Sequence, residues 1–332
     1  MATNTPRPLN IVARTRKPGL STGKAQPQNE ATGTIAAGIL PSPDHDLINN
    51  GGKTIASLSY TNIYVSGDTA WDPNDRSNID SALSAAMSDQ DLNNVLVQYF
   101  PGQTVSTTFV PSINLSIPAP AVVSMGDVEA MVQNMYGQGT FANSDLTTTV
   151  FNYLLPPGTV LNTDATKTAG GTIANALELN IVNPALKIMD AATSLQGLGG
   201  YHGSVHIGSD IVYYAVGVFS QNLADGTTNG IVVFDQPWKN VVATFYHELN
   251  EARTDPDVED AIKAGNDPSA TQFLGWMSNQ GEEIGDYPVF EANPLSEVFQ
   301  EVPLTDGSGT VPVQFLYSNA VHGPEGPTTQ PE

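Results

Sequence analysis

The stretch at 241–257, VVATFYHELNEARTDPD, constrains the fold of this chain more than any other stretch. Four apolar residues in and just before it follow the helical repeat and form one stripe: Trp238, Val242, Phe245 and Leu249. His247 and Glu251 lie on roughly the opposite side of such a helix. The pattern therefore predicts a helix with one face that packs against a core and one that is available for chemistry.

The polar face carries the spacing of a metal site. His247 and Glu251 are four residues apart, so their side chains leave adjacent turns, as the two helix-borne ligands of HExxH zinc sites do. Glu248 stands where those sites carry the general base. The second ligand position is a glutamate here, and a carboxylate oxygen binds zinc at about the same distance as an imidazole nitrogen. The alternative interpretation is a solvated helix face whose acids serve solubility.

The ends of this helix are marked in the sequence. Asp235 or Gln236 can cap its start, and Pro237 suits its first turn. Proline disfavours helical geometry in the residue before it, so the segment 254–256, Thr-Asp-Pro, is predicted to end the helix. The motif therefore lies on a helix with defined limits.

A third ligand can come from the acidic segment 281–286, GEEIGD, just over thirty residues after the motif. Glu283 and Asp286 are the candidates, and one can bind the metal while the other supports it. The sequence leaves both assignments open. Histidine is scarce, with five in the chain, and two of them, His202 and His206, flank a glycine-containing turn.

These residues predict zinc-assisted hydrolysis of a peptide or related amide bond. Zn²⁺ held by His247, Glu251 and one carboxylate would lower the pKa of water toward neutrality, and Glu248 would accept the proton. Three side chains are candidate donors to the developing oxyanion: Tyr201, His202 and Tyr246. A structural role is the alternative for each of them.

Composition narrows the partners and the chemistry. The chain of 332 residues has a formal net charge of −22, which disfavours nucleic acid and anionic membranes as partners. The predicted partner is a peptide or protein substrate. Cysteine is absent, so disulfides, thiol nucleophiles and cysteine-ligated metals are excluded. A low content of charged residues together with many small polar residues is typical of exported proteins. We therefore expect secretion or export, with a cytoplasmic location as the alternative.

The termini differ from the rest of the chain. Residues 1–29 carry five basic residues, no acidic residue and several prolines, so 1–45 is predicted to be a basic, disordered tail. It lacks the apolar run of a secretory signal, and no stretch resembles a membrane span. One large domain is predicted over 46–320, followed by a flexible tail at 321–332.

Strands and helices are intermixed without a regular βαβ rhythm, which favours an α+β fold. Strands are predicted at 53–65, 105–117, 147–155, 231–234 and 311–317, with a hairpin at 199–220 turned at 208–210. Besides the motif helix, helices are predicted at 80–87, 91–100, 127–136, 185–195 and 258–264, with a loop at 68–75.

Three motifs in the second half resemble a group of bacterial metallopeptidase-like proteins with the pattern HELxExxTDP, Gly-Trp and GxEIGD. They are HELNEARTDP at 247–256, Gly275-Trp276 and GEEIGD at 281–286. More remotely, the chain resembles the plant EXORDIUM or phosphate-induced extracellular proteins. That likeness lies in TNIYVSGD, GYHG and VYYAVGVF at 61–68, 200–203 and 212–219. The resemblance covers roughly 50–320.

The two resemblances imply different functions. The bacterial group implies a zinc metallopeptidase of zincin-like α+β fold, with a mixed sheet, an active-site helix and a sheet edge that holds an extended substrate. The plant group lacks the His-Glu pair and implies a non-catalytic extracellular or cell-wall-associated binding protein on the same scaffold. Because His247, Glu248 and Glu251 occur together here, we expect the metallopeptidase.

Overall fold

A computed structural model describes residues 34–163, 193–265, 267 and 269–332 of the chain. The strands in these ranges are β1 (Leu47–Asn49), β2 (Ser57–Val65), β3 (Ser106–Leu115), β4 (Val122–Ser124), β5 (Thr149–Leu155), β6 (Val160–Asn162), β7 (Gly200–Ile207), β8 (Asp210–Val218), β9 (Gln221–Asn222), β10 (Thr228–Asn229), β11 (Trp276–Ser278), β12 (Phe299–Pro303), β13 (Thr310–Gln314), β14 (Leu316–Ser318) and β15 (Gly323–Glu325). The α-helices in these ranges are α1 (Pro73–Ser88), α2 (Gln90–Asn94), α3 (Met125–Gly137), α4 (Pro237–Thr254), α5 (Val258–Ala264) and α6 (Asp286–Glu291).

The main sheet is mixed. Its five described strands run in the order β3-β2-β5-β8-β7, with β3, β2, β5 and β8 parallel to one another. The edge strand β7 is antiparallel to β8 and is joined to it by a two-residue turn. Gly208 in that turn has φ of +65°, which glycine adopts at little steric cost. The α+β class with a mixed sheet is therefore confirmed.

The sheet separates two apolar cores, because successive side chains of a strand point to opposite faces. Tyr213 and Ala215 of β8 join the core around α1 and α4, whereas Tyr214 and Val216 join the core around α3. Every residue of β5 is buried, as expected for a central parallel strand covered on both faces. The site described below lies on the α4 side.

Helix α4 agrees with the predicted motif helix at both ends. Its apolar stripe is buried, with Val242, Phe245 and Leu249 each 0% exposed. The opposite face is not solvated, because Glu248 and Glu251 are each only 4% exposed. The polar residues of the motif are thus enclosed, and the interpretation of a solubilising surface face is wrong. None of the described helices is long and apolar enough to cross a membrane.

Several predicted boundaries differ from the structure. Helix α1 begins at Pro73, earlier than predicted and inside the predicted loop, because Asp72 caps it through the Asn74 amide. The helix predicted at 91–100 divides into α2 and a 3₁₀ turn, and Asp89 caps α2. The segment 231–234 is not a strand. Most of the helix predicted at 185–195 lies outside the described residues.

The C-terminal residues belong to the fold. Strand β15 pairs with β14, and the Glu332 amide donates to the Asn94 carbonyl at 3.2 Å. The Thr34 amide donates to the Pro327 carbonyl at 3.1 Å, so the chain from residue 34 packs there as well. These contacts correct the flexible tail expected at 321–332 and show that residues 34–45, expected to be disordered, belong to the fold. No sequence signal marks β15, because Gly-Pro-Glu lacks strand-favouring residues.

Candidate metal centre

Six side chains of metal-binding type meet where α4, β7 and the segment 281–286 converge. This cluster consists of His202, His247, Glu248, Glu251, Glu283 and Asp286. Five of these residues form two groups that share one member. Within each group the ligand atoms lie within 4.8 Å of one another. The first group is His247, Glu251 and Asp286, and the second group is His202, Glu248 and Glu251. Glu251 belongs to both.

His247 is held in one orientation by Gln314 of β13. The Gln314 amide nitrogen donates to the Gly285 carbonyl at 2.6 Å, which turns its Oε1 toward His247 Nδ1 at 2.8 Å. An amide oxygen only accepts, so Nδ1 donates and Nε2 faces the cluster. Nε2 lies 3.0 Å from Glu251 Oε2. This is the arrangement by which metal-binding histidines are usually oriented.

His202 reaches the cluster from β7. Its Nε2 lies 3.2 Å from the backbone carbonyl of Asp255, so Nε2 is the donor. Its Nδ1 faces the acids of α4, at 3.5 Å from Glu248 Oε2 and 3.6 Å from Glu251 Oε2. The ring is buried, with a side-chain exposure of 3%. The structure thus places His202 against the carboxylates of the motif, where sequence reasoning foresaw only an oxyanion donor.

Asp286 and Glu283, the two candidates for the third ligand, lie on different sides of the cluster. Asp286 belongs to the first group, with His247 and Glu251. Glu283 lies on the other side of the cluster, where its Oε1 is 3.5 Å from His202 Nε2. That oxygen is buried and has no hydrogen-bond partner among the described residues. The geometry therefore favours Asp286 as the ligand beside His247.

The two tyrosines proposed as oxyanion donors do not face the cluster. Tyr201 precedes His202 on β7, so its side chain projects to the opposite face of the sheet. There its ring packs edge-on against Tyr214, with centroids 6.0 Å apart. Tyr246 lies in the apolar core that packs against α4. Strand alternation separates Tyr201 from His202, which the sequence alone did not resolve.

The cluster shifts the pKa values of its members. Burial alone lowers the pKa of His247, but Glu251, Glu248 and Asp286 outweigh burial and raise it to about 10. Burial alone raises the pKa of Glu251, but the two histidines hold it below its ordinary value. Burial, with repulsion from Glu251, raises the pKa of both Glu283 and Asp286 well above the ordinary range. The raised pKa values of the two acids therefore reflect carboxylates that crowd one another in a poorly solvated place.

No lysine or arginine among the described residues forms an ion pair with these four carboxylates. Their cationic partners within 4.0 Å in this part of the chain are the two histidines. Arg253, on the same helix, points away to the Ser106 carbonyl at 3.2 Å. Buried carboxylates without a cation are costly, so the arrangement suits a bound metal ion.

A pocket of ≈ 130 Å³ opens onto the cluster. Its walls include Gly199 and Gly200 at the start of β7, and Phe290 of α6. A Cβ at Gly200 would collide with the Val216 carbonyl and would lie 3.1 Å from Glu248 Oε1. Glycine therefore allows the start of β7 to pack closely against β8 and the Glu248 side chain.

Gly285 lies against the ring of His247. A Cβ at this position would collide with the imidazole, which Gln314 prevents from turning aside. If a metal ion binds at the cluster, Gly285→Ala should weaken its binding by about 10–100-fold, the effect usual for residues that orient a ligand. Competition with a zinc-sensitive chelating dye measures this. Gly137→Ala is the control, because a Cβ there meets no atom within 4 Å; equal affinities in the two variants would contradict the prediction.

Comparisons with protein-family models, with curated proteins and with solved structures find no match to this chain. The bacterial and plant resemblances therefore stay predictions from short motifs. What the structure adds is the spatial arrangement of those motifs. The motifs at 247–256 and 281–286 meet at the cluster, and the GYHG motif at 200–203 supplies His202.

Proposed function

We propose that this protein is a zinc-dependent hydrolase, more specifically a metallopeptidase. The observation that carries the proposal is the first group, in which His247, Glu251 and Asp286 offer ligand atoms within 4.8 Å of one another beside a pocket. One imidazole and two carboxylates form a three-ligand set that leaves a fourth zinc position for water or substrate. Gln314 fixes His247 for this role.

Glu248 is the proposed general base. A zinc ion in the first group would supply Lewis acidity, which lowers the pKa of water and polarises a carbonyl. Glu248 Oε1 lies 4.0 Å from His247 Nε2, on the side of the helix that faces the first group. The pocket is lined by both His247 and Glu248, so a substrate carbonyl could reach the same place through it. Glu248 would take the proton of the attacking water and pass it to the leaving amine.

The sheet edge supports an extended peptide as the substrate. The Ser204 amide points away from β8 and donates to Glu259 Oε2 at 3.0 Å. Backbone direction alternates along a strand, so His202 and Gly200 turn their backbone polar groups to the same outer side. Glu259 of α5 covers this edge at Ser204, but the Gly200 end is partly exposed and lines the pocket, so a peptide strand could pair there beside α4. We also propose that the fold is zincin-like, because the mixed sheet has an antiparallel edge strand next to the motif helix.

The resemblance to bacterial metallopeptidase-like proteins supports the same function, and the composition supports export as the protein's destination. Both remain part of the proposal. The plant-like alternative, a non-catalytic binding protein, needs neither the orientation of His247 by Gln314 nor the convergence of Asp286 on Glu251. These contacts favour the enzyme.

Metal content tests the proposal directly. We expect at least one zinc ion per chain by elemental mass spectrometry, and a marked loss in His247→Ala and in Asp286→Asn. His206→Ala is the matched control, because that histidine is exposed and pairs with Asp260 at 2.7 Å. A library of peptides is then screened with the zinc-loaded protein. If the wild type binds no zinc after incubation with it, the hydrolase proposal is wrong and the non-catalytic binding protein is the remaining interpretation.

A further inference from the structure

Both histidines of the cluster direct a ring nitrogen at the same carboxylate oxygen. His247 Nε2 lies 3.0 Å and His202 Nδ1 lies 3.6 Å from Glu251 Oε2. In each ring the other nitrogen donates to a protein carbonyl oxygen, of Gln314 for His247 and of Asp255 for His202. When neutral, each imidazole therefore presents a lone pair to Glu251.

From this convergence we infer that the cluster binds two divalent cations, bridged by Glu251. The first group holds one ion and the second group, His202, Glu248 and Glu251, holds the other. The inference rests on the proposed function and adds a second metal position to the same site. Hydrolases with two metals hold them about 3.5–4 Å apart, close enough for one carboxylate to bind both.

The spacing in the second group is that of ligands on one ion. His202 Nδ1 lies 3.5 Å from Glu248 Oε2 and 3.6 Å from Glu251 Oε2, both longer than an ordinary N–H···O hydrogen bond. Zinc bonds of about 2.0–2.1 Å at tetrahedral angles place two ligand atoms roughly 3.4 Å apart. The observed distances therefore fit a cation between these atoms better than direct hydrogen bonds.

Charge supports two ions over one. The four carboxylates of the cluster carry a formal charge of −4 when ionised, and no described lysine or arginine pairs with them. One divalent ion leaves half of that charge uncompensated among buried groups, whereas two ions balance it. Glu283 shows such uncompensated charge, because its Oε1 is buried beside His202 and has no hydrogen-bond partner in the part of the chain that the structure describes.

The second ion is compatible with Glu248 as a base. Its Oε2 faces His202 at 3.5 Å, whereas its Oε1 faces His247 Nε2 at 4.0 Å. One oxygen can thus bind the second ion while the other still faces the reacting water. Glu251 is positioned for bridging by the Gly285 amide, which donates to its Oε1 at 3.2 Å and leaves Oε2 toward both histidines.

Metal titration of the full chain tests the inference. Equilibrium dialysis against Zn²⁺, followed by elemental analysis, should give two ions per wild-type chain and at most one in His202→Ala. His206→Ala, on the same strand but exposed, should still bind two. With Mn²⁺ as the probe, the wild type should give the electron paramagnetic resonance spectrum of a spin-coupled pair, and His202→Ala that of an isolated ion.

The outcomes separate the two proposals. One ion per wild-type chain, unchanged in His202→Ala and without spin coupling, overturns the second position and leaves the hydrolase standing. No ion at all overturns both. Circular dichroism checks the fold of His202→Ala; if that variant does not fold, the wild-type stoichiometry and manganese spectrum decide alone.

Discussion

Replacing Glu248 by glutamine is expected to lower kcat/KM for amide hydrolysis by about 10²–10⁴-fold, the usual contribution of a general base. The amide is nearly isosteric with the carboxylate but cannot accept the proton of water. The ligands of the first group are untouched, so the variant should keep at least one zinc ion per chain. Steady-state kinetics on a peptide that the wild type cleaves, with metal analysis of the same sample, measures both.

Glu282→Gln is the matched control for this prediction. Glu282 is also buried, but its carboxylate contacts His45 at 2.6 Å and the Ser278 hydroxyl at 3.1 Å, outside the cluster. We expect its rate to stay within a few-fold of the wild type. If Glu248→Gln keeps wild-type activity with its zinc, Glu248 is not the base and another group must accept the proton.

The helix and its ligand pair were predictable because their signals are local. The apolar stripe of α4, Pro237 at its start and Pro256 beyond its end lie within one stretch of chain. The spacing of His247 and Glu251 fixes their common face through helix geometry. Nothing in that stretch showed that the polar face is enclosed, since burial depends on what β7 and the segment 281–286 place over it.

The remaining site residues depend on tertiary contacts. His202 joins the cluster because β7 lies at the sheet edge beside α4 and because alternation turns His202, and not Tyr201, to that side. Gln314 orients His247 across 67 residues of sequence, and a glutamine in a short strand carries no motif. The choice between Glu283 and Asp286 likewise depends on the turn that leads into α6. Periodicity could not decide it.

The strands of the main sheet could be predicted from the sequence, but their order in the sheet could not. The strands β2, β3 and β5 and the hairpin of β7 and β8 follow from β-branched and aromatic runs with turn residues between them. Their order, with β2 between β3 and β5, depends on crossovers through helices that a pattern does not specify. The irregular succession of strands and helices favoured α+β, and the mixed sheet agrees with that class, although four of its five described strands are parallel.

The cluster should make the folded state depend on metal. Ions that bind only the native chain stabilise it by about 4 kcal/mol at a thousand times their dissociation constant. A chelator removes this contribution and leaves three buried carboxylates and the partly buried Asp286 with the two histidines as their described cationic partners. We therefore expect chelation to lower the melting temperature of the wild type by several degrees, at roughly 2–4 °C per kcal/mol in a protein of this order of size.

Asp286→Asn should be less stable than the wild type when zinc is present and more stable than the wild type when a chelator has removed it. With zinc present, the variant lacks a ligand of the first group and melts below the wild type. With chelator, it no longer holds a partly buried carboxylate that lacks a described cationic partner, so it should exceed the wild type by about 0.5–2 kcal/mol. Differential scanning calorimetry of both proteins in both conditions measures the crossing. A variant less stable than the wild type in both conditions would mean that the Asp286 carboxylate has a structural role, because a ligand carboxylate repelled by its neighbours should gain stability when it is neutralised and the metal is gone.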